Sequence, residues 1–219
     1  MISRVNRSKA EATRTYNRLS RWYDGLAGSS EKKYRNLGLQ ALAAGAGEQI
    51  LEIGFGTGQC LVALAAAVGP AGKVCGIDIS DGMRSIAQKR LQWAGVDAWA
   101  ELHLGDAAQL PFDAGSFDAV FMSFTLELFD TPEIPLVLEQ CQRVLRPGGR
   151  IGLVTMALPE RPRLAVRIYE WFHAHWPAAV DCRPIRAEEA LQAAGFAVEV
   201  VKQLSMWGLP VDVIRAHRA

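Results

Sequence analysis

Three glycines in five residues, Gly54, Gly56 and Gly58, stand between the apolar run Ile50-Leu-Glu-Ile53 and a helical pattern that starts at Gln59. Glycines here let a chain turn tightly and approach a ligand without a Cβ in the way. A helix N-terminus beside them offers free N–H groups. The loop is therefore equipped for a nucleotide-like ligand. A dinucleotide fingerprint reads G-x-G-x-x-G, and here the third glycine comes one residue early. Glu52, two residues before the first glycine, would repel a pyrophosphate and suit a ligand carrying an ammonium or sulfonium. Asp78 closes a second apolar run, 24 residues after Gly54, where a carboxylate can accept from both ribose hydroxyls of an adenosine. Asp106, with Ala107 beside it, follows a third run and can accept from an exocyclic adenine amine. Met83, Leu110 and Phe112 are placed to flank a purine.

Groups able to move a proton are Glu127, after a fourth run, and His173, with Glu170 and Asp181 near it. His173 shares one helical face with Tyr169, Phe172 and Trp176 at i, i+3, i+4, i+7. That stripe suits the wall of an acceptor pocket, and equally a helix packing its aromatics on a sheet. His173 itself suits a general base or a hydrogen-bonded structural residue. His173 and His175 form H-x-H without a third ligand, and the four cysteines are far apart with no C-x-x-C. No metal is expected from these spacings, and the cysteines read as reduced thiols.

The elements that must position these groups alternate. β-leaning apolar runs at Gln49–Ile53, Lys73–Ile77, Ala98–Leu104, Phe117–Met122 and Arg150–Met156 are separated by helical patterns at Gln59–Val68, Asp81–Ala94 and Thr131–Leu145. Runs apolar on both faces belong to parallel strands covered by helices on both sides, and the alternation predicts a doubly wound α/β sheet. The tail departs from it. A short helix, Ala187–Ala194, precedes strands at Ala197–Val201 and Val211–Ala216 whose short connection permits only antiparallel pairing. With 219 residues, 50% hydrophobic and 21% charged, one α/β unit is expected over 45–219, preceded by a helical extension or lid over 1–44. The net charge of +1 argues against a dedicated nucleic-acid binder. No apolar stretch is long enough to span a bilayer, and residues 1–19 lack the apolar centre of a secretory leader. A cytoplasmic protein is expected. The extension is basic against an acidic remainder: residues 1–40 hold nine Lys/Arg and three Asp/Glu, and Arg7, Arg14, Arg18 and Arg21 share one helical face, opposite Val5, Ala12, Tyr16, Leu19 and Tyr23. Such a helix suits a lid whose arginines are solvated, or a transient contact with an anionic membrane.

The segments ILEIGFGTGQ, GIDIS, GDAAQLPFDAGSFDAVFMSF and RVLRPGGRI resemble, in order and spacing, the successive motifs of class I S-adenosylmethionine (SAM) methyltransferases. The resemblance implies a Rossmann-like seven-stranded sheet, mostly parallel with an antiparallel last strand. It implies that Glu52, Gly54, Gly56 and Gly58 hold the methionine part of SAM, Asp78 the ribose, and Asp106 and Ala107 the adenine. Tyr16, Tyr23 and Ser123 fall with that cofactor set, and Met83 beside the purine. Within the family, Tyr16-Asn-Arg-Leu-Ser-Arg-Trp-Tyr23-Asp24, Leu110-Pro-Phe112 and Leu145-Arg-Pro-Gly-Gly149 are similar to the ubiquinone/menaquinone C-methyltransferases; the segment Ser123–Leu128 differs from that group's usual polar set. The implied reaction is methyl transfer to a small hydrophobic or lipid-like acceptor, first a ring carbon of a prenylated quinone precursor. Phospholipid ethanolamine N-methylation is the enzymatic alternative, and a SAM-binding regulatory protein the non-enzymatic one. Glu127 or His173 would take the proton that a carbon or oxygen acceptor must lose.

Overall fold

The computed structural model describes residues 9–19, 28–159 and 183–218. Two helices come first, α1 (Lys9–Leu19) and α2 (Gly28–Leu42). The alternating body follows: β1 (Gln49–Ile53), α3 (Gln59–Val68), β2 (Lys73–Asp78), α4 (Asp81–Ala94), β3 (Ala100–Leu104), β4 (Phe117–Ser123), α5 (Ile134–Val144) and β5 (Leu145–Met156). It ends in α6 (Ala187–Ala193), β6 (Phe196–Met206) and β7 (Leu209–Arg218). The strands make one seven-stranded sheet in the order β3-β2-β1-β4-β5-β7-β6. β1 to β5 pair in parallel, and β7 runs antiparallel to both neighbours, β5 and β6. This is the Rossmann-like sheet that the sequence implied.

Both faces of the sheet are covered, which is why its central runs are apolar throughout. Leu42, Leu61, Leu64, Ala87 and Leu91 from α2, α3 and α4 fill one face. Val137, Leu138 and Cys141 from α5, with Leu191 from α6, fill the other. α2 is tied down at its C-terminal end by Arg150, whose Nε donates to the Leu42 carbonyl at 2.6 Å and whose guanidinium meets both Glu48 oxygens at 2.8 Å.

The largest boundary differences have local causes. β5 was expected from Arg150 and begins at Leu145, because Leu145 pairs with Phe117 before the chain bulges and the ladder resumes at Arg150. α5 starts at Ile134, later than the expected Thr131, with Pro135 in its first turn, the helical position proline tolerates best. β6 and β7 both run longer than expected. A two-residue turn joins them, Trp207 at φ 52° and Gly208 at φ 84°, matching the twist of a hairpin.

β1 and β4 are neighbours, yet the connection leaving β1 leads outward to β2 and the one leaving β4 leads the opposite way to β5. Between these diverging chains a crevice must open at the C-terminal ends of the strands, where open α/β sheets bind ligands.

Candidate active site

The crevice is a cavity lined by the glycine loop, the ends of β1, β2 and β4, the turn Leu128–Asp130, and residues of α1, α2 and α3. Glu52, Gly54, Gly56, Asp78, Met83, Asp106, Ala107 and Ser123 all line it. The sequence had scattered them over 72 positions; the switch in strand order gathers them.

The loop geometry follows from packing. Gly54 has φ 71°, and a Cβ there would lie 2.3 Å from the Thr125 side chain. The turn after β1 therefore passes against the turn after β4 without a gap. Gly58 serves a different purpose from the one the sequence gave it. It has φ 81° and is absent from the cavity lining, and a Cβ on it would meet Ala87 of α4 at 2.8 Å. It sets the approach of α3 to α4.

Asp78 organises the loop as well as facing the cavity. Its Oδ2 accepts from the Gly56 N–H and its Oδ1 from the Ser80 N–H, both at 2.9 Å. Burial pushes its pKa up, although these backbone donors pull against the shift. Glu52 is 2% exposed, and its Oε2 is sealed with no hydrogen bond to the described chain. Burial, and then the charge of Asp78, hold its pKa well above the usual carboxylate range against the opposing pull of Arg35. The Ser123 hydroxyl is likewise sealed and without a partner. An orphaned acceptor and an orphaned hydroxyl on one cavity wall fit a ligand that brings a cationic donor between the ends of β1 and β4. Asp106 Oδ1 accepts from the Ala108 N–H at 3.0 Å, and the residue lines the cavity. Met83 lines the wall as expected. Leu110 and Phe112 do not: Phe112 packs edge-on against His103 and Phe117, and Leu110 joins the core behind it.

Glu127 is fully buried and absent from the lining. Its oxygens accept from Thr155 Oγ1 and from the Met156 N–H, each at 3.0 Å, and burial raises its pKa to about 7. It fastens the turn after β4 to the end of β5, and as placed it has no path to a substrate proton. Tyr16 lies on α1, with its side chain outside the description. Tyr23, Glu170, His173 and Asp181 fall outside the described residues, so the aromatic stripe Tyr169–Trp176 does too. α1 reaches the site through Asn17, whose Oδ1 accepts from Ser80 Oγ at 2.6 Å and the Gly82 N–H at 3.0 Å, and through Ala12, which lines the cavity.

Sequence reasoning missed a polar group at the opposite wall. Arg35, 9% exposed, donates to Glu31 at 3.0 Å and to Gln59 at 2.6 Å, and all three line the cavity. In sequence, Glu31 and Arg35 read as an ordinary i,i+4 helix pair; only the docking of α2 against α3 makes them part of a site. Asp130 and Glu133 were missed for the same reason, since they read as a polar turn before α5.

Residues 50–149 match the family model described as a methyltransferase domain. A demethylmenaquinone methyltransferase of Lactobacillus johnsonii is 33% identical over 133 residues, covering 61% of this chain and 54% of that protein. One from Staphylococcus aureus is 31% identical over 159 residues, covering 71% of this chain and 64% of that protein. The chain thus spans 54% to 64% of the length of these curated relatives. Among solved structures, the [4+2]-cyclase SpnF superposes with a TM-score of 0.76 at 19% identity over 97% of both chains. Geranyl diphosphate C-methyltransferase from Streptomyces coelicolor A3(2) superposes with a TM-score of 0.71 at 15% identity, over 86% of this chain and 81% of that one. At these identities the two structures show a shared fold.

Proposed function

We propose that this chain, whose residues 50–149 match a methyltransferase-domain model, transfers the methyl group of SAM to a hydrophobic small-molecule acceptor, a ring carbon of a prenylated quinone precursor. The observation that carries the cofactor is the cavity itself, in which Glu52, Asp78 and Asp106 stand at the ends of successive motifs around a glycine loop. When bound, the cofactor supplies a methyl group already activated on a sulfonium. Glu52 and the Ser123 hydroxyl would meet its cationic methionine end, Asp78 its ribose and Asp106 its adenine amine. What remains for the protein is positioning: holding the acceptor atom in line with the methyl group and keeping water away from it. The relatives named for demethylmenaquinone support the quinone as acceptor.

A second reading, N-methylation of a lipid amine such as an ethanolamine headgroup, draws on the charge of the lining. Beyond the residues assigned to the cofactor, Glu31, Asp130 and Glu133 also line the cavity, with Arg35 the one cation among the described lining residues. Carboxylates suit an acceptor that becomes an ammonium. Turnover of either acceptor would dismiss a purely regulatory SAM-binding protein, a reading kept open because the same fold also serves a protein named as a cyclase.

The deciding experiment incubates the protein with methyl-labelled SAM and a total cell extract, then partitions the label. Label in the organic phase on a quinone-mass product is expected. Label on an ethanolamine lipid would select the second reading, and label only in water-soluble products would remove both. No described helix is long and apolar enough to cross a membrane. Contact of residues 1–21 with the bilayer surface is part of the proposal, and co-sedimentation with anionic liposomes that survives their deletion would end it.

A further inference from the structure

At the free edge of the sheet, away from the glycine loop, β2 and β3 bring three donor side chains to one face. Cys75 stands directly beside Glu101 in the parallel ladder, and His103, two residues along β3, returns to the same face. Cys75 Sγ, a Glu101 oxygen and a His103 ring nitrogen all lie within 4.8 Å of one another. Glu101 is divided between two tasks: its Oε2 meets Lys73 Nζ at 2.5 Å, which leaves Oε1 facing His103. Oε1 is 3.2 Å from Nε2, yet Nε2 is sealed from solvent and makes no hydrogen bond. A donor and an acceptor at that distance ordinarily align. Here Nε2 is left unpartnered among the described residues, with Oε1 and Cys75 Sγ beside it. Phe112, edge-on to the imidazole at 5.0 Å, packs against the ring in this position.

We propose that Cys75, Glu101 and His103 form a binding site for a single Zn²⁺-class cation. The donor set of thiolate, imidazole and carboxylate is the one zinc selects. Two ligand atoms about 2.0 Å from a shared tetrahedral ion stand about 3.3 Å apart, close to the 3.2 Å between Oε1 and Nε2. On binding, the Cys75 thiol gives its proton to solvent and a sulfur–metal bond forms; water completes the tetrahedron. Lys73 stays on the second carboxylate oxygen and orients it, as outer hydrogen bonds commonly do at metal sites. Spacing rules do not find such a site, because its ligands sit on neighbouring strands 26 and 28 positions apart rather than in one turn.

The test titrates the full chain, reduced and free of chelator, with Co²⁺. Expected is a thiolate-to-cobalt charge-transfer band saturating at one ion per chain, one proton released per ion, and displacement by Zn²⁺. Cys75→Ser and His103→Gln should each abolish the band, while Cys60→Ser, in the core on the other face, keeps it. Metal-free unfolding midpoints verify that each variant is folded. A wild-type chain without the band, or a band that survives in Cys75→Ser or in His103→Gln, would overturn the assignment.

Discussion

Two glutamates are buried almost equally, Glu52 in β1 at 2% exposure and Glu127 in the turn after β4 at 0%, and burial raises the pKa of both. They differ in what surrounds the oxygens. Glu127 has a hydroxyl and a backbone amide placed to satisfy it, inside a sealed joint between two chain segments. Glu52 keeps one oxygen orphaned on the wall of a cavity. A folded chain pays to bury a carboxyl in either case, but only the orphan points at something yet to arrive. Sequence pattern gave both residues a chemical role, and surroundings separate them into a proposed binding group on the cavity wall and a fastening between chain segments.

The largest test of that separation is on stability. Glu127 titrates at 4.5 when unfolded and at about 7 when folded. Between these values the folded state holds a proton that the unfolded state has lost, so unfolding free energy falls as pH rises through the window and levels off above it. The shift corresponds to about 3 kcal/mol. Glu127→Gln keeps a carbonyl acceptor for the Met156 N–H and offers an amide N–H to the Thr155 hydroxyl, which can rotate to accept it, without the ionisation. Denaturant unfolding at pH 5 and pH 8 should show the variant gaining on the wild type by that order at the higher pH, with cofactor affinity unchanged at either. Parallel pH dependences would show that Glu127 is not titrating in the folded protein.

Next is Asp78→Ala, on the binding side of the comparison. It removes the acceptor proposed for the ribose and also releases the Gly56 and Ser80 amides. Loss of ~1.5–3 kcal/mol of SAM affinity is expected, the order for hydrogen bonds to a charged group. Titration calorimetry that finds no change would remove the ribose assignment.

These two residues also show what was legible in the chain and why. The sheet, its helical layers and its antiparallel end were readable because apolar runs and glycine punctuation repeat the structure's own periods. That Glu52, Asp78 and Asp106 would share one cavity was legible because each stands at or just past the end of a strand, within two residues of a glycine. Glu127 was misjudged because a sequence shows a carboxyl near the end of a strand but not that Thr155 and Met156 await it. Gly58 was misjudged because a glycine needed for ligand approach and one needed for helix approach look alike in the chain. Leu110 and Phe112 pack in and against the core rather than on the cavity wall, because apolar residues after a strand serve a core as well as a purine. Arg35, Glu31 and Gln59 were invisible, because nothing in their spacing reveals that α2 docks across the mouth of α3.

Glu52→Gln is the direct counterpart of Glu127→Gln. Burial and Asp78 favour the protonated Glu52 carboxyl in the free protein, whereas a cationic ligand favours the carboxylate, so wild-type affinity for SAM should tighten as pH rises. The glutamine variant should bind on the order of tenfold more weakly near neutral pH, the size of one charge-assisted hydrogen bond, and show a flat pH dependence. A variant that weakens SAM and keeps the wild-type slope would place the titrating group elsewhere.

The smallest expected change is also the most discriminating. Arg35 is the group that draws the Glu52 pKa downward, against burial and Asp78. Arg35→Met retains much of the apolar stem packed between α2 and α3 and removes the charge. If Arg35 acts through Glu52, the affinity for SAM at a pH well above the transition should change only severalfold, while the midpoint of the affinity–pH curve moves upward, since Glu52 then holds its proton to higher pH. The double variant with Glu52→Gln should show no midpoint to move. A large loss of affinity at every pH with an unshifted midpoint would instead mean that the guanidinium touches the ligand itself. The missed wall of the cavity would then be a second binding surface rather than the electrostatic counterweight of the first.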